Sequence, residues 1–303
     1  MAKTVAETIK EITRQHLKSG GAAMGQCLSA VGWVGGTVPD MTEKEGLLEL
    51  SMDDTSGSGI AVGYALAGRR PIFICRYQGF MHIDASQLLN YAAKSKDLWK
   101  IPCPVFIRSI AMEGAIGPVA GSSHHGMMTR MPGLTVCAPM TPKEYEHVWK
   151  TFVEKDDPFY VSEHRRSFKI DYEMPDELFY PEPDITLFPI SAARLSAIEA
   201  ADMLSHEGIL CNIVHLLWLK PFVVLPGILN AVGASKYGGI VIDTDFENGV
   251  SKSIACDIMQ HASRKVRVLG LEERTAGFAP HLDNLPPSPE KICNFVKNII
   301  QNR

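Results

Sequence analysis

Three clusters in this sequence carry residue types capable of chemistry. Asp53 and Asp54 stand between a short apolar run, LLELSM, and a Gly/Ser turn that opens the apolar segment GIAVGYALAG. Carboxylates at such a turn either cap the following helix, here through Asp54 or Ser56, or lie at the C-terminal end of a parallel strand. Open α/β sheets place their ligands at that end. Tyr77 and Phe80 follow the buried run PIFIC, within RYQGFMHID. They suit a core, and they also suit a platform on which a flat heteroaromatic ring stacks. His124 and His125 belong to the loop GSSHHGMM, off any apolar face. A loop imidazole there fits proton transfer to a substrate oxygen. It does not fit a metal centre, because no third ligand stands at a usual spacing.

Phosphate loops are missing. The sequence has neither GxxxxGK[ST] nor a GxGxxG between strand and helix, and GSGIAVG reads as a tight turn followed by close helix packing.

Short continuous apolar runs alternate with helical periods and must position these residues. A helix over 4–18 precedes a glycine-rich stretch containing a short buried strand. Strands are expected at EGLLELSM, RRPIFICRY, CPVFIRS, GLTVCAP and PFYVSE. Between them lie helices at SGSGIAVGYALAG, HIDASQLLNYAAKSK and TPKEYEHVWKTFVEK, the last with Thr141 as cap and Pro142 in its first turn. This alternation implies an α/β fold with a parallel sheet covered on both faces. The Pro- and acid-rich segment DYEMPDELFYPEPDITLFP has no period and reads as a linker. A second alternation starts near 186, with ILCNIVHLLWL, GGIVIDTD and KVRVLGL as strands. The domains are therefore expected at 1–170 and 186–303, joined by 171–185.

The 303 residues suffice for two cores. At 46% hydrophobic, 21% charged and net charge -4, the chain has no basic surplus for nucleic acid or a membrane surface. Its apolar runs are shorter than a bilayer span requires. The seven cysteines form no CxxC pair and sit mostly in apolar runs. They read as small hydrophobes of a reducing compartment, so a cytoplasmic or organelle-lumen location is expected.

The order of these features carries a resemblance. A carboxylate five residues before GIAVG, Tyr-x-x-Phe before a helix ending NYAAK, PCPVFIR, the His-bearing glycine loop and MPGLTVCAPMTPKEYEHVWKTFVEKDDPFYVSE follow one another. VIDTDFENGVSKSIACDI and LPPSPEKI extend the match over essentially the whole chain. The chain resembles the beta subunit of the thiamine diphosphate-dependent, decarboxylating component of 2-oxo acid dehydrogenases, with transketolase and deoxyxylulose-phosphate synthase as wider relatives. The resemblance implies a pyrimidine-binding domain followed by a transketolase C-terminal-like domain, each a parallel-sheet, three-layer unit. It implies decarboxylation of a small 2-oxo acid with acyl transfer. A ketose is the other substrate it allows. Two alternatives are a split transketolase-like or carboligating subunit that transfers a ketol or acyl group, and a non-catalytic assembly or regulatory subunit.

The resemblance also assigns residues. Counting back from Gly59, the glutamate with which this family activates the pyrimidine ring falls on Asp54. Tyr77 and Phe80 match the aromatic pair that packs the ring, with Phe80 the stacker. His124, helped by His125, matches the histidine that handles substrate protons or charge. The diphosphate and its magnesium require a Gly-Asp-Gly motif, and the sequence has no GDG. An alpha-type subunit carrying the diphosphate-binding domain is therefore expected, in a heterotetramer, with a lipoyl-bearing acyltransferase as a further candidate partner. Two departures stand out. Asp54 is one methylene shorter than glutamate, about 1.5 Å of reach, enough to lose a hydrogen bond. Pro132 follows His124 by only eight positions, so the loop is shorter than its relatives'.

Overall fold

The computed structural model describes residues 2–30, 32–114, 116 and 121–302. Part of the loop before His124, at 115 and 117–120, lies outside the described residues.

Helix α1 (Val5–Lys18) starts at a capping box in which Thr4 and Glu7 satisfy each other's backbone N–H. Strand β1 (Ala23–Gln26), the left-handed turn α2 (Gly32–Gly36), β2 (Leu47–Leu50), α3 (Asp54–Leu66) and β3 (Ile72–Cys75) follow. Then come α4 (Met81–Gln87), a π-turn over 88–92, α5 (Ala93–Trp99), β4 (Phe106–Ala111) and α6 (His125–Thr129). The first half closes with β5 (Thr135–Cys137), α7 (Pro142–Val153) and β6 (Phe159–His164). Thr141 caps α7, with Pro142 in its first turn.

The second half comprises β7 (Ile185–Pro189), α8 (Ala193–Ser205), β8 (Cys211–Ile213), β9 (Trp218–Lys220), α9 (Pro226–Ala234), β10 (Gly239–Phe246), α10 (Val250–Ala262), β11 (Val266–Leu271) and α11 (Pro289–Gln301). Among the described residues, one sheet has the order β2-β1-β3-β4-β6-β5-β9 and the other β11-β10-β7-β8.

Both sheets are parallel except where β9 meets β5. The run ILCNIVHLLWL, expected as one strand, is divided: β8 joins the second sheet and β9 turns back to edge the first antiparallel. Trp218 of β9 packs edge-on to Phe159 and His147, which anchors the crossing segment. The segment after 186 thus contributes to both sheets.

Alternation along the strands fills both faces of the first sheet. Ile72, Ile74 and Phe106 join the core beneath α1 and α7, together with Ile9, Phe152 and Phe159. Phe73, Cys75 and Ile107 face α3 and α4. That second core continues through Ile228, Val232, Val241 and Ile254 of α9, β10 and α10, so the two sheets share an apolar seam. Helices α8 and α11 cover the outer face of the second sheet. Of the cysteines, Cys256 is exposed, Cys27 is half-buried and the others are buried, all unbridged.

Candidate active site

The strand order reverses at β1, which has β2 on one side and β3 on the other. Crevices at the C-terminal ends of parallel strands beside such a reversal are where α/β sheets bind ligands. A cleft of about 50 Å³ lies there, walled by Gln26 and Cys27 after β1, Asp54 after β2, Cys75 at the end of β3, and Phe80 and Asp84 beyond it.

Asp53, not Asp54, is the helix cap. Its carboxylate accepts from the N–H of Thr55 at 3.0 Å and of Ser56 at 3.2 Å, and from the Ser56 hydroxyl. These bonds hold Asp53 well ionised, below the usual carboxylate range. With Asp53 in that role, Asp54 becomes the first residue of α3 and lines the cleft. Glu49 is engaged elsewhere: from β2 it accepts from the N–H of Leu28 at 2.7 Å and of Ser29 at 3.1 Å.

Phe80 is half-buried on the opposite wall. Tyr77 meets it edge-on, with ring centroids 5.8 Å apart, and itself faces a separate small cavity beside Val34, Arg165 and Phe168. The structure therefore brings Asp54 and Phe80 together, with Tyr77 bracing Phe80 from behind. Arg76 lies over the Tyr77 ring at 5.4 Å.

The two histidines part company. His124 lines a larger cleft of about 660 Å³ with His82, Arg130, Asp245, Phe246 and Arg274. Its ring meets His82 edge-on at 5.0 Å, and its backbone N–H donates to Gln78 Oε1 at 2.7 Å. Burial lowers its pKa to about 4, the His82 ring adds to the drop, and a bond to the Gly121 carbonyl opposes it. At neutral pH His124 is an uncharged imidazole, with one ring nitrogen able to donate a hydrogen bond and the other to accept one.

His125, expected beside it, points the other way into the junction between the sheets. It is fully buried, with Nε2 2.9 Å from Asp243 Oδ1 and Nδ1 3.0 Å from Ser162 Oγ. Both ring nitrogens are thereby occupied. Burial alone would lower its pKa, but the charge and hydrogen bond of Asp243, with Asp245 adding, raise it. Gly126 donates its N–H to Asp245 Oδ2 at 2.7 Å, and a Cβ there would stand 2.9 Å from that oxygen. Ser123 and Thr244 hydroxyls meet at 2.8 Å. Gln78 ties this junction to the first sheet, donating to the Ser109 carbonyl at 3.1 Å and to Ser162 Oγ at 2.7 Å.

Sequence reasoning missed Asp84, His82, Gln78, Asp243 and Asp245. A signal existed for Asp84, which stands four residues after Phe80, one helical turn along the same face.

Comparison with known proteins bears on this geometry. The family model described as "Transketolase, pyrimidine binding domain" aligns with the part of the chain that holds β2 through β6. Residues 41–170 match the transketolase pyrimidine-binding domain. Asp54, Phe80 and both histidines lie within the matched residues, whereas Gln26 and Cys27 on the β1 side of the cleft precede them. The chain is 28% identical to the acetoin:2,6-dichlorophenolindophenol oxidoreductase subunit beta of Cupriavidus necator, over 90% of this chain and 87% of that protein. It is 26% identical to the 2-oxoisovalerate dehydrogenase subunit beta of Bacillus subtilis, over 84% of this chain and 81% of that one. The fold matches a solved split gene transketolase, an inactive beta4 tetramer, with a TM-score of 0.74, 99% coverage of both chains and 15% identity. The resemblance to 2-oxo acid dehydrogenase beta subunits and the α/β, transketolase-like fold thus both stand.

Proposed function

We propose that this chain is the beta-type subunit of a two-component enzyme that uses thiamine diphosphate to decarboxylate a small 2-oxo acid and transfer the acyl group. The carrying observation is the switch-point cleft, where Asp54 and Phe80 meet within the matched pyrimidine-binding domain. When bound, thiamine diphosphate supplies a carbanionic carbon and an electron sink. Phe80 would stack on the flat ring, Asp54 would meet its polar edge, and uncharged His124 would hydrogen-bond on the substrate side. His125 holds the loop that presents His124. The names of the relatives, an acetoin oxidoreductase subunit and a 2-oxoisovalerate dehydrogenase subunit, support this reaction class.

The cleft has room for the edge of a ring only, which fits a site whose other wall comes from a partner. The diphosphate and magnesium are assigned to that alpha-type partner. The sequence has no GDG, and among the described residues no group of three or more His, Cys, Asp or Glu is placed to hold a metal ion. Phosphosugar substrates fit less well. Arg108, one of the cations they would need, is buried and held by Glu163 at 2.6 and 2.9 Å, and His164 is held by Glu113 at 2.7 Å.

The test is reconstitution with the alpha-type candidate, calorimetry with thiamine diphosphate and magnesium, and turnover on a panel of 2-oxo acids. The pair is expected to bind the cofactor and this chain alone is not; a pair that does not bind would sink the assignment. Asp54→Ala should lose about 100-fold in turnover, the scale of a lost proton-handling group, whereas Asp54→Glu should remain active. Full activity in Asp54→Ala would refute the role of that carboxylate.

A further inference from the structure

Asp84 is the second carboxyl in the switch-point cleft. It is 3% exposed and lies on α4, one turn after Phe80. Its Oδ1 is buried and has no hydrogen-bond partner. A native fold rarely leaves a buried polar atom unmatched, and such an atom calls for a ligand, a water or a proton. The groups around it offer no cation: Asp53 and Asp54 approach from the start of α3, Cys75 from the end of β3, and Cys27 from the end of β1. Arg76, the cation in the cleft wall, lies over the Tyr77 ring.

We propose that Asp84 is a positioning residue of the cofactor-activating site, holding a proton that it shares with Asp54 across the cleft, so that a carboxyl pair replaces one longer carboxylate. This rests on the reading of the cleft as the site of a pyrimidine edge. Two carboxylates in one water-poor cleft do not both ionise readily, and the more buried one keeps the proton. Burial pushes Asp84 up to about 7, a bond with Cys75 opposes the rise, and the charges of Asp54 and Asp53 add to it. The cleft, at about 50 Å³, also has room for a bridging water.

The proton balance is simple. The O–H bond of Asp84 would break as its proton passes to Asp54, and the O–H bond so formed on Asp54 would break as that proton forms an N–H bond at the ring edge. The pair then carries one more negative charge, offset by the positive charge gained at the ring edge beside it, and the reverse transfer restores both. Asp54 alone would lack the methylene of reach; a water held between the two carboxyls in the cleft would supply it.

The experiment has two arms. In the full chain with carbon-13-labelled aspartate carboxyls, Asp84 should titrate near neutrality by NMR. That midpoint should fall by about half a unit in Asp54→Asn, where a like charge has been removed. An unchanged midpoint overturns the pair. In the reconstituted complex, thiamine diphosphate binding is followed by calorimetry between about pH 6 and about pH 8, the range a neutral-range carboxyl spans. Wild-type affinity should weaken above the Asp84 midpoint, whereas Asp84→Asn, a permanently neutral mimic of similar shape, should give a flat profile. A wild-type pH profile in Asp84→Asn overturns the inference while leaving the proposed function intact. A wild-type complex that binds no cofactor overturns both, and the NMR arm then still reports whether the two carboxyls interact.

Discussion

Deleting the His125 imidazole should loosen the junction between the two sheets by an amount that can be worked out in advance. The side chains of His125 and Asp243 are both fully buried. In His125→Ala, Asp243 Oδ1 loses its 2.9 Å partner and keeps only the Asp245 N–H at 3.1 Å, while Oδ2 has no partner to begin with. Leaving a buried charge without its partner costs about 3–5 kcal/mol, a large share of the roughly 5–15 kcal/mol that holds a typical fold. Asp243→Asn removes the charge itself and should cost only about 1–3 kcal/mol.

The double variant should therefore be no worse than His125→Ala, with the two single effects failing to add by about 2 kcal/mol. Urea unfolding of the full chain measures this. Hydrogen exchange at the amides of Gly126 and Asp245 accompanies it, because a two-sheet protein need not unfold in one step. The pH dependence has a definite sign. His125 has its pKa raised above 6.5 in the fold, so its contribution is full below 6.5 and is lost as pH rises through the folded value. The penalty of His125→Ala should shrink in alkali. A penalty under about 1 kcal/mol below neutrality, or strictly additive single effects, would refute the role given to this pair.

Two other outcomes are expected. Removing the neighbouring ring in His82→Ala should raise the NMR midpoint of His124 from about 4, though not to its ordinary value of 6.5, since burial is the larger cause. Because the folded value is depressed, His124 contributes stability above 6.5 that is lost as pH falls toward about 4, and the His82 variant should narrow that window. Gly133 has a φ of +76°, and a Cβ on it would stand 1.8 Å from the Ala93 carbonyl oxygen. Gly133→Ala should cost about 3 kcal/mol or more, as strain plus collision at a packed site does, read as a lowered melting temperature with α5 displaced.

Much of this architecture is legible in local signals. Thr141 and Pro142 announce α7, and the runs PIFIC and CPVFIRS announce β3 and β4, because continuous apolar runs between helices mean a sheet buried on both faces. The run ILCNIVHLLWL shows where such reading stops. Every part of it is apolar, so nothing in its pattern marks the point where the chain leaves one sheet for the other. Asp53 and Asp54 show the same limit on a smaller scale. Adjacent carboxylates have equal claims to the cap, and only the backbone turn decides that Asp53 takes it and releases Asp54 to the cleft. Asp84 and Asp243 give no local signal of burial, because an acid on a short helix or within a strand ordinarily faces water. Their burial is created by residues far away in the chain, which local pattern does not contain.

Strand β9 has a consequence for how the molecule is made. Synthesis runs from the N-terminus, and domains tend to fold as they emerge. Here the first sheet cannot be finished when its own segment has emerged, because β5 remains an open edge until Trp218–Lys220 arrives. An open edge invites pairing with other chains. A fragment ending near residue 185 should therefore stick to its own copies, and a usable gene split would have to fall beyond Lys220.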